Sequence, residues 1–228
     1  EEEATQALVE LGYPLLMQDL LAGRRVGLLF VGSPDRDIQS AVATTLEDAG
    51  ARELTRMRAL NVPIDPTSID GALAGRPALT RYSGEESLRE LGGLLAREFV
   101  FGGDAPAWDA LSSQLVVEQR GRSQPPLQGV VVARTAAPQQ GETAEFVAGI
   151  YEGLAATGTP AVGVETSTDD RSTVEVFDSA DLSIVDNLEM PAGRLALALL
   201  LAGAEPGHYG VKDADAVLPQ FEGLTQGG

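Results

Sequence analysis

Arg24-Arg-Val-Gly-Leu-Leu-Phe-Val31 is apolar from Val26 onward and lies between Gly23 and the turn Gly32-Ser-Pro34. An uninterrupted apolar run bounded by turn residues marks a strand buried on both faces, as in a parallel sheet. Asp35 to Ala49 follows, with Ile38, Val42 and Leu46 at helical spacing and Gly50 at its end. That pattern predicts an amphipathic helix with a glycine stop. Residues 53–60 read as the next strand, completing one βαβ unit.

A second unit recurs about one hundred residues later. Gln128-Gly-Val-Val-Val-Ala-Arg-Thr135 is its strand, Pro138 lies in the loop, 143–156 is the helix, and Gly158 precedes a strand over 161–165. The likeness is a weak internal repeat, since any two βαβ units share this order. Between the units, 83–101 reads as a helix opened by Ser83 and Glu86 at capping-box spacing. Residues 102–127, with Gly102-Gly103, Trp108 and Pro125-Pro126, read as the most loop-like part, with an edge strand over 115–118. Residues 173–177 are β-prone and 182–185 form a strand, and Pro191 falls in the first turn of the last helix, where its missing N–H costs nothing. Strands alternating with helices predict a three-layer α/β sandwich, Rossmann-like or flavodoxin-like, with a mostly parallel sheet.

Residues 1–22 carry Leu8, Leu11, Leu15, Leu16, Leu20 and Leu21 at near-helical spacing, interrupted at Pro14. They read as the end of an N-terminal helix or coiled-coil stalk. Residues 23–210 are then the α/β domain, and 211–228 a C-terminal return and flexible tail.

The formal net charge is −18, from 16 Lys+Arg against 34 Asp+Glu. Such a chain repels phosphate backbones, which argues against nucleic acid as a partner. A solvated acidic surface is its ordinary meaning, with basic partners or cations as the alternatives. There is no cysteine, hence no disulfide and no thiolate metal site. Lys212 is the only lysine. The longest apolar run, 195–202, is well short of the roughly 20 residues that span a bilayer as a helix. The chain opens on Glu1 rather than Met, so a targeting or anchoring segment is expected in a longer parent.

Two loops are candidate sites. Gly32-Ser-Pro-Asp-Arg-Asp37 follows the first strand, where open α/β sheets bind ligands, but it has neither dinucleotide nor P-loop spacing. Its aspartates suit a helix start. Asp186, Asn187 and Glu189 again lie between a strand and a helix, and cation coordination, acid–base work and helix capping all fit them. His208, the only histidine, lies in a glycine-flanked turn with no G-x-S-x-G serine elsewhere, so no enzyme is expected. Copper is held by His, Met or Cys, and the chain offers His208, Met17, Met57 and Met190, scattered in sequence.

Ser183-Ile-Val-Asp-Asn-Leu-Glu-Met-Pro-Ala-Gly-Arg-Leu-Ala-Leu-Ala-Leu199, Gly207-His-Tyr-Gly210 and the strand Val26–Val31 with its Pro-Asp loop carry a resemblance. The chain resembles the extracytoplasmic α/β domain of the MctB-like envelope proteins of actinobacteria, a family that includes SteB-like members. The resemblance implies a membrane helix and a coiled coil preceding this domain, homo-oligomerisation through that coiled coil, and membrane attachment through that N-terminal segment alone. It also implies one of two roles. The first is a non-enzymatic scaffold acting in cell-wall remodelling or division through a protein partner in the envelope. The second is copper homeostasis or transport. A partner surface is expected at Asp35, Arg36, Asp186 and Asn187, and copper, where bound, at His208 and Met190. No other cofactor is expected.

Overall fold

The structure, a computed structural model, describes residues 12–51, 54–121, 124–169 and 172–220. Strand β1 (Val26–Val31) is buried along its whole length and pairs in parallel with both β2 (Leu54–Leu60) and β4 (Gly129–Arg134). The described residues form a seven-stranded sheet of order β3-β2-β1-β4-β5-β6-β7. Strands β5 (Ala161–Val164), β6 (Ser183–Val185) and β7 (His208–Tyr209) continue the parallel pairing, and β3 (Val116–Gly121) closes the other edge antiparallel to β2. The chain moves from β1 outward to β2 and later returns to the opposite side of β1 at β4. That reversal of direction is a topological switch point, and open α/β sheets place their ligand crevices at the carboxyl ends of the strands near such a point.

Helices cover both faces, as the three-layer reading requires. Against one face lie α1 (Arg36–Asp48) and α7 (Pro191–Ala202). Ile38, Val42 and Leu46 of α1 are buried there, as their spacing predicts. Met17 and Leu21 are completely buried in the same cluster, so residues 12–22 pack on the domain. Residues 1–11, including Leu8 and Leu11 of the expected stalk, lie outside the described residues.

The second face is covered by α2 (Pro66–Leu73), α3 (Leu88–Phe101), α4 (Pro106–Leu115), α5 (Gly141–Ala155) and α6 (Val174–Asp178). Helices α3 and α5 approach so closely that a Cβ on Gly149 would lie 2.0 Å from Arg89 O, and one on Gly92 2.2 Å from Phe146 O. Only glycine permits that spacing.

Three expectations need correction. Residues 102–127 are not mainly loop: Pro106 opens α4, and Trp108, Leu111 and Leu115 face the core. The N-terminus of α4 lacks a local side-chain cap, but Glu98 of α3 accepts from Ala107 N and Trp108 N, each at 3.1 Å. Residues 173–177 are not strand-like but start the short helix α6, whose Phe177 fills the gap beside Gly163. Ser83 does not cap α3, because a 3-10 turn, Glu85–Ser87, comes first.

Candidate functional site

The loop after β1 and the loop after β4 are laced together. Thr135 N and Ala136 N both donate to Val31 O at 3.0 Å, and Thr135 Oγ1 donates to Ser33 O at 2.6 Å. Gly32 adopts a positive φ of 115°, and a Cβ there would lie 2.6 Å from Ala136 N. Asp35 then caps α1, accepting from Asp37 N and Ile38 N at 2.9 Å, which is the helix-start role its position predicts. The crevice beyond has a volume of about 660 Å³, and Asp35, Asp37, Asp169, Glu189 and Arg134 are among its walls. Glu189 accepts from Ser167 N and Ser167 Oγ, which fixes one wall to the loop after β5.

Behind this crevice lies a buried ionic network. Asp186, at the end of β6, is fully buried and accepts from Val211 N at 2.7 Å and Lys212 N at 2.9 Å. Its Oδ2 also lies 2.7 Å from His208 Nε2. Gly210 passes so close that a Cβ would sit 2.0 Å from Asp186 Oδ1. The Gly-His-Tyr-Gly segment therefore wraps a carboxylate. Lys212 reaches the next strand, donating to Glu165 Oε1 at 2.8 Å, Thr166 O at 2.8 Å and Asp169 O at 3.0 Å. Glu165 also accepts from Thr173 Oγ1 at 2.7 Å and Ser172 Oγ at 3.0 Å. Burial pushes the Glu165 carboxyl upward, but Lys212, Thr173 and Ser172 outweigh it and hold it below the ordinary glutamate value.

These positions revise the sequence-derived site. Asp35 is part of the crevice wall, and Arg36, next to it in the chain, is exposed to solvent. Asp186 and Asn187 do not offer a partner surface, since they are 0% and 1% exposed. Neither caps α7, whose N-cap is Met190 without a side-chain bond. His208 is not a turn residue but part of β7, with its ring against Asp186. Among the described residues, no serine or threonine hydroxyl bonds that ring, so the pair lacks the nucleophile of a hydrolytic triad. Met190, 39% exposed, accepts a long contact of 4.0 Å from Asn187 Nδ2. His208 and Met190 thus reach the β6–α7 turn through different neighbours. Met17 and Met57 are core residues. Among the described residues, no three His, Cys, Asp or Glu side chains gather as a metal would need.

Sequence reasoning missed Glu165 and Lys212. The available signal was the solitary lysine in an arginine-rich chain, two residues beyond the Gly-His-Tyr-Gly segment. Lysine suits this place because a compact ammonium can serve one carboxylate and two carbonyls at once, which a planar guanidinium does not.

No curated protein matches the chain. A family profile described as copper transport outer membrane protein, MctB, matches residues 1–219. With the profile spanning the sheet, the crevice and the buried network alike, the chain belongs to the MctB family of copper transport outer membrane proteins.

Proposed function

We propose that this domain is a non-enzymatic module of the cell envelope that works by docking a protein partner into the switch-point crevice. The observation that supports the reading is the crevice itself: about 660 Å³ at the carboxyl ends of the strands, with four carboxylates and one guanidinium among its walls. A basic peptide segment is the complementary occupant, because a concave acidic wall concentrates cations and steers their approach. Asp37, Asp169 and Glu189 replace Asp186 and Asn187 in the contact set, alongside Asp35 and Arg36. The envelope location rests on the family's description as an outer membrane protein. No helix among the described residues is long and apolar enough to cross a membrane.

The family's description favours a second reading, copper handling. For this domain the available soft donors are His208, which is tied to Asp186, and the half-exposed Met190. Copper held by His208 would use Nδ1, or else the Nε2 that faces Asp186 at 2.7 Å.

A photo-crosslinking residue at Arg36, in the native host, tests the partner reading. One discrete adduct is expected at Arg36 and none at Glu90 on the opposite face, and it is lost when Asp37 and Glu189 are changed to Lys. Equal labelling at both positions, or none at Arg36, removes the reading.

A further inference from the structure

Tyr151 of α5 is 1% exposed. Phe177 of α6 packs edge-on against its ring, with the centroids 5.2 Å apart and the planes at 74°. The hydroxyl oxygen of Tyr151 is sealed from solvent and meets no hydrogen-bond partner among the described residues. A buried polar group left unpaired is costly, so a native structure that keeps one calls for a reason. Burial pushes this hydroxyl upward against the lowering pull of the Arg134 charge. It therefore stays protonated at neutral pH, an idle donor in an apolar setting.

Tyr151 lines a cavity of about 390 Å³ formed by α5, α6 and the loop between β4 and α5. Pro138, Val147, Ala148, Val176 and Ala180 are among its apolar walls. Its charged walls are Arg89, Arg134, Glu152 and Glu175, two of each sign. Arg89 is engaged by Glu152 at 2.9 Å and by Glu145 at 3.0 Å, and Arg134 donates to Ser172 O at 3.3 Å. The neutral polar walls are served as well: Ser179 Oγ donates to Glu175 O at 2.6 Å, and Gln139 Nε2 to Ala137 O at 2.6 Å. None of these contacts reaches the Tyr151 hydroxyl, although the Arg134 charge acts on it from the same walls.

We propose that this cavity binds a small uncharged molecule with an apolar ring body and one carbonyl, whose oxygen accepts from the Tyr151 hydroxyl. A donor in an apolar setting calls for an acceptor, and a carbonyl supplies one without bringing a proton that needs a partner of its own. Walls with two charges of each sign favour neither an anion nor a cation, while the apolar walls take the ring. The volume exceeds what one water fills and falls in the range of small-molecule sites. Arg134 also lines the switch-point crevice but Tyr151 does not, so the two sites can be tested apart.

The test is an amide NMR titration of the whole chain with three probes of one shape: 1-indanone, indane, which lacks the acceptor, and indane-1-carboxylate, which is charged. The expected result is a saturable shift from 1-indanone at residues 144–151 and 174–180, with indane about fivefold weaker, the worth of one neutral hydrogen bond. Indane-1-carboxylate is expected not to saturate. Tyr151→Phe is expected to bring 1-indanone down to the level of indane, to leave indane unchanged, and to keep or raise Tm, since it deletes a hydroxyl without a partner. Ala148→Leu fills the cavity from a half-buried helix position and is expected to abolish both. Equal binding of 1-indanone and indane, tighter binding of the carboxylate, or no saturable shift from any probe would overturn the proposal, the last leaving an ordered water as the only occupant. So would a Tm lowered by Tyr151→Phe, which would show that the hydroxyl already has a partner within the protein.

Discussion

Replacing Lys212 by Met leaves the chain one side chain of similar length but strands the carboxylate of Glu165. That carboxylate is 2% exposed, and among the described residues Lys212 supplies its only ion pair, at 2.8 Å. Breaking one partner out of a buried pair costs about 3–5 kcal/mol. Two features pull the figure to the lower end. Glu165 keeps its bonds from Thr173 and Ser172, and the lysine side chain is 21% exposed, so part of its charge is screened by water. A loss of about 3 kcal/mol corresponds to a fall in Tm of roughly 6–12 °C for a chain of this size. Urea denaturation at neutral pH followed by circular dichroism measures it. The double variant Lys212→Met with Glu165→Gln removes the stranded charge and is expected to recover most of the loss, so the two changes are strongly non-additive. A loss under about 1 kcal/mol, the size of an exposed pair, or simple additivity in the double variant would refute the reasoning.

The same network sets an acid limit. Glu165 titrates lower in the folded protein than in the unfolded chain, so its contribution is complete above the unfolded value near 4.3 and is lost as pH falls through the folded value. Stability measured from pH 6 to 3 is expected to drop more steeply for the native chain than for Glu165→Gln. Gly149→Ala drives a methyl to 2.0 Å from Arg89 O and is expected to cost about 1–3 kcal/mol or more by forcing α3 and α5 apart; Gly71→Ala, where nothing lies within 4 Å, serves as the control. Asp35→Ala removes the two-bond cap of α1 and is expected to lower stability by about 1 kcal/mol, with Asp35→Asn recovering most of it.

The legible parts of this fold were those where local chemistry and tertiary packing agree. The apolar run at Val26–Val31, the Ile38-Val42-Leu46 stripe behind an aspartate cap, and Pro191 at the first turn of α7 each announce their element because no distant residue is needed to form it. Helix α4 was hidden because its N-terminus is capped from another helix, by Glu98, and its glycine and proline flanks imitate a loop. Residues 173–177 carry β-prone side chains, yet Phe177 is claimed by the space beside Gly163, and packing overrides propensity.

The site was less legible than the scaffold. The capping role of Asp35 is legible because a cap is local. Asp186 reads from sequence as a surface or capping residue because its three partners arrive from residues 208–212, a segment that sequence alone leaves floating.

Calorimetric titration of the domain with Cu(I) and with Cu(II), alongside Met190→Ala and a His208→Ala variant checked for folding, separates the two readings most directly. A partner-docking domain is expected to show no stoichiometric submicromolar copper binding, and its crevice variants are expected to leave the copper titration unchanged. Tight one-to-one binding that both His208→Ala and Met190→Ala abolish would contradict that account and make copper the ligand of this domain.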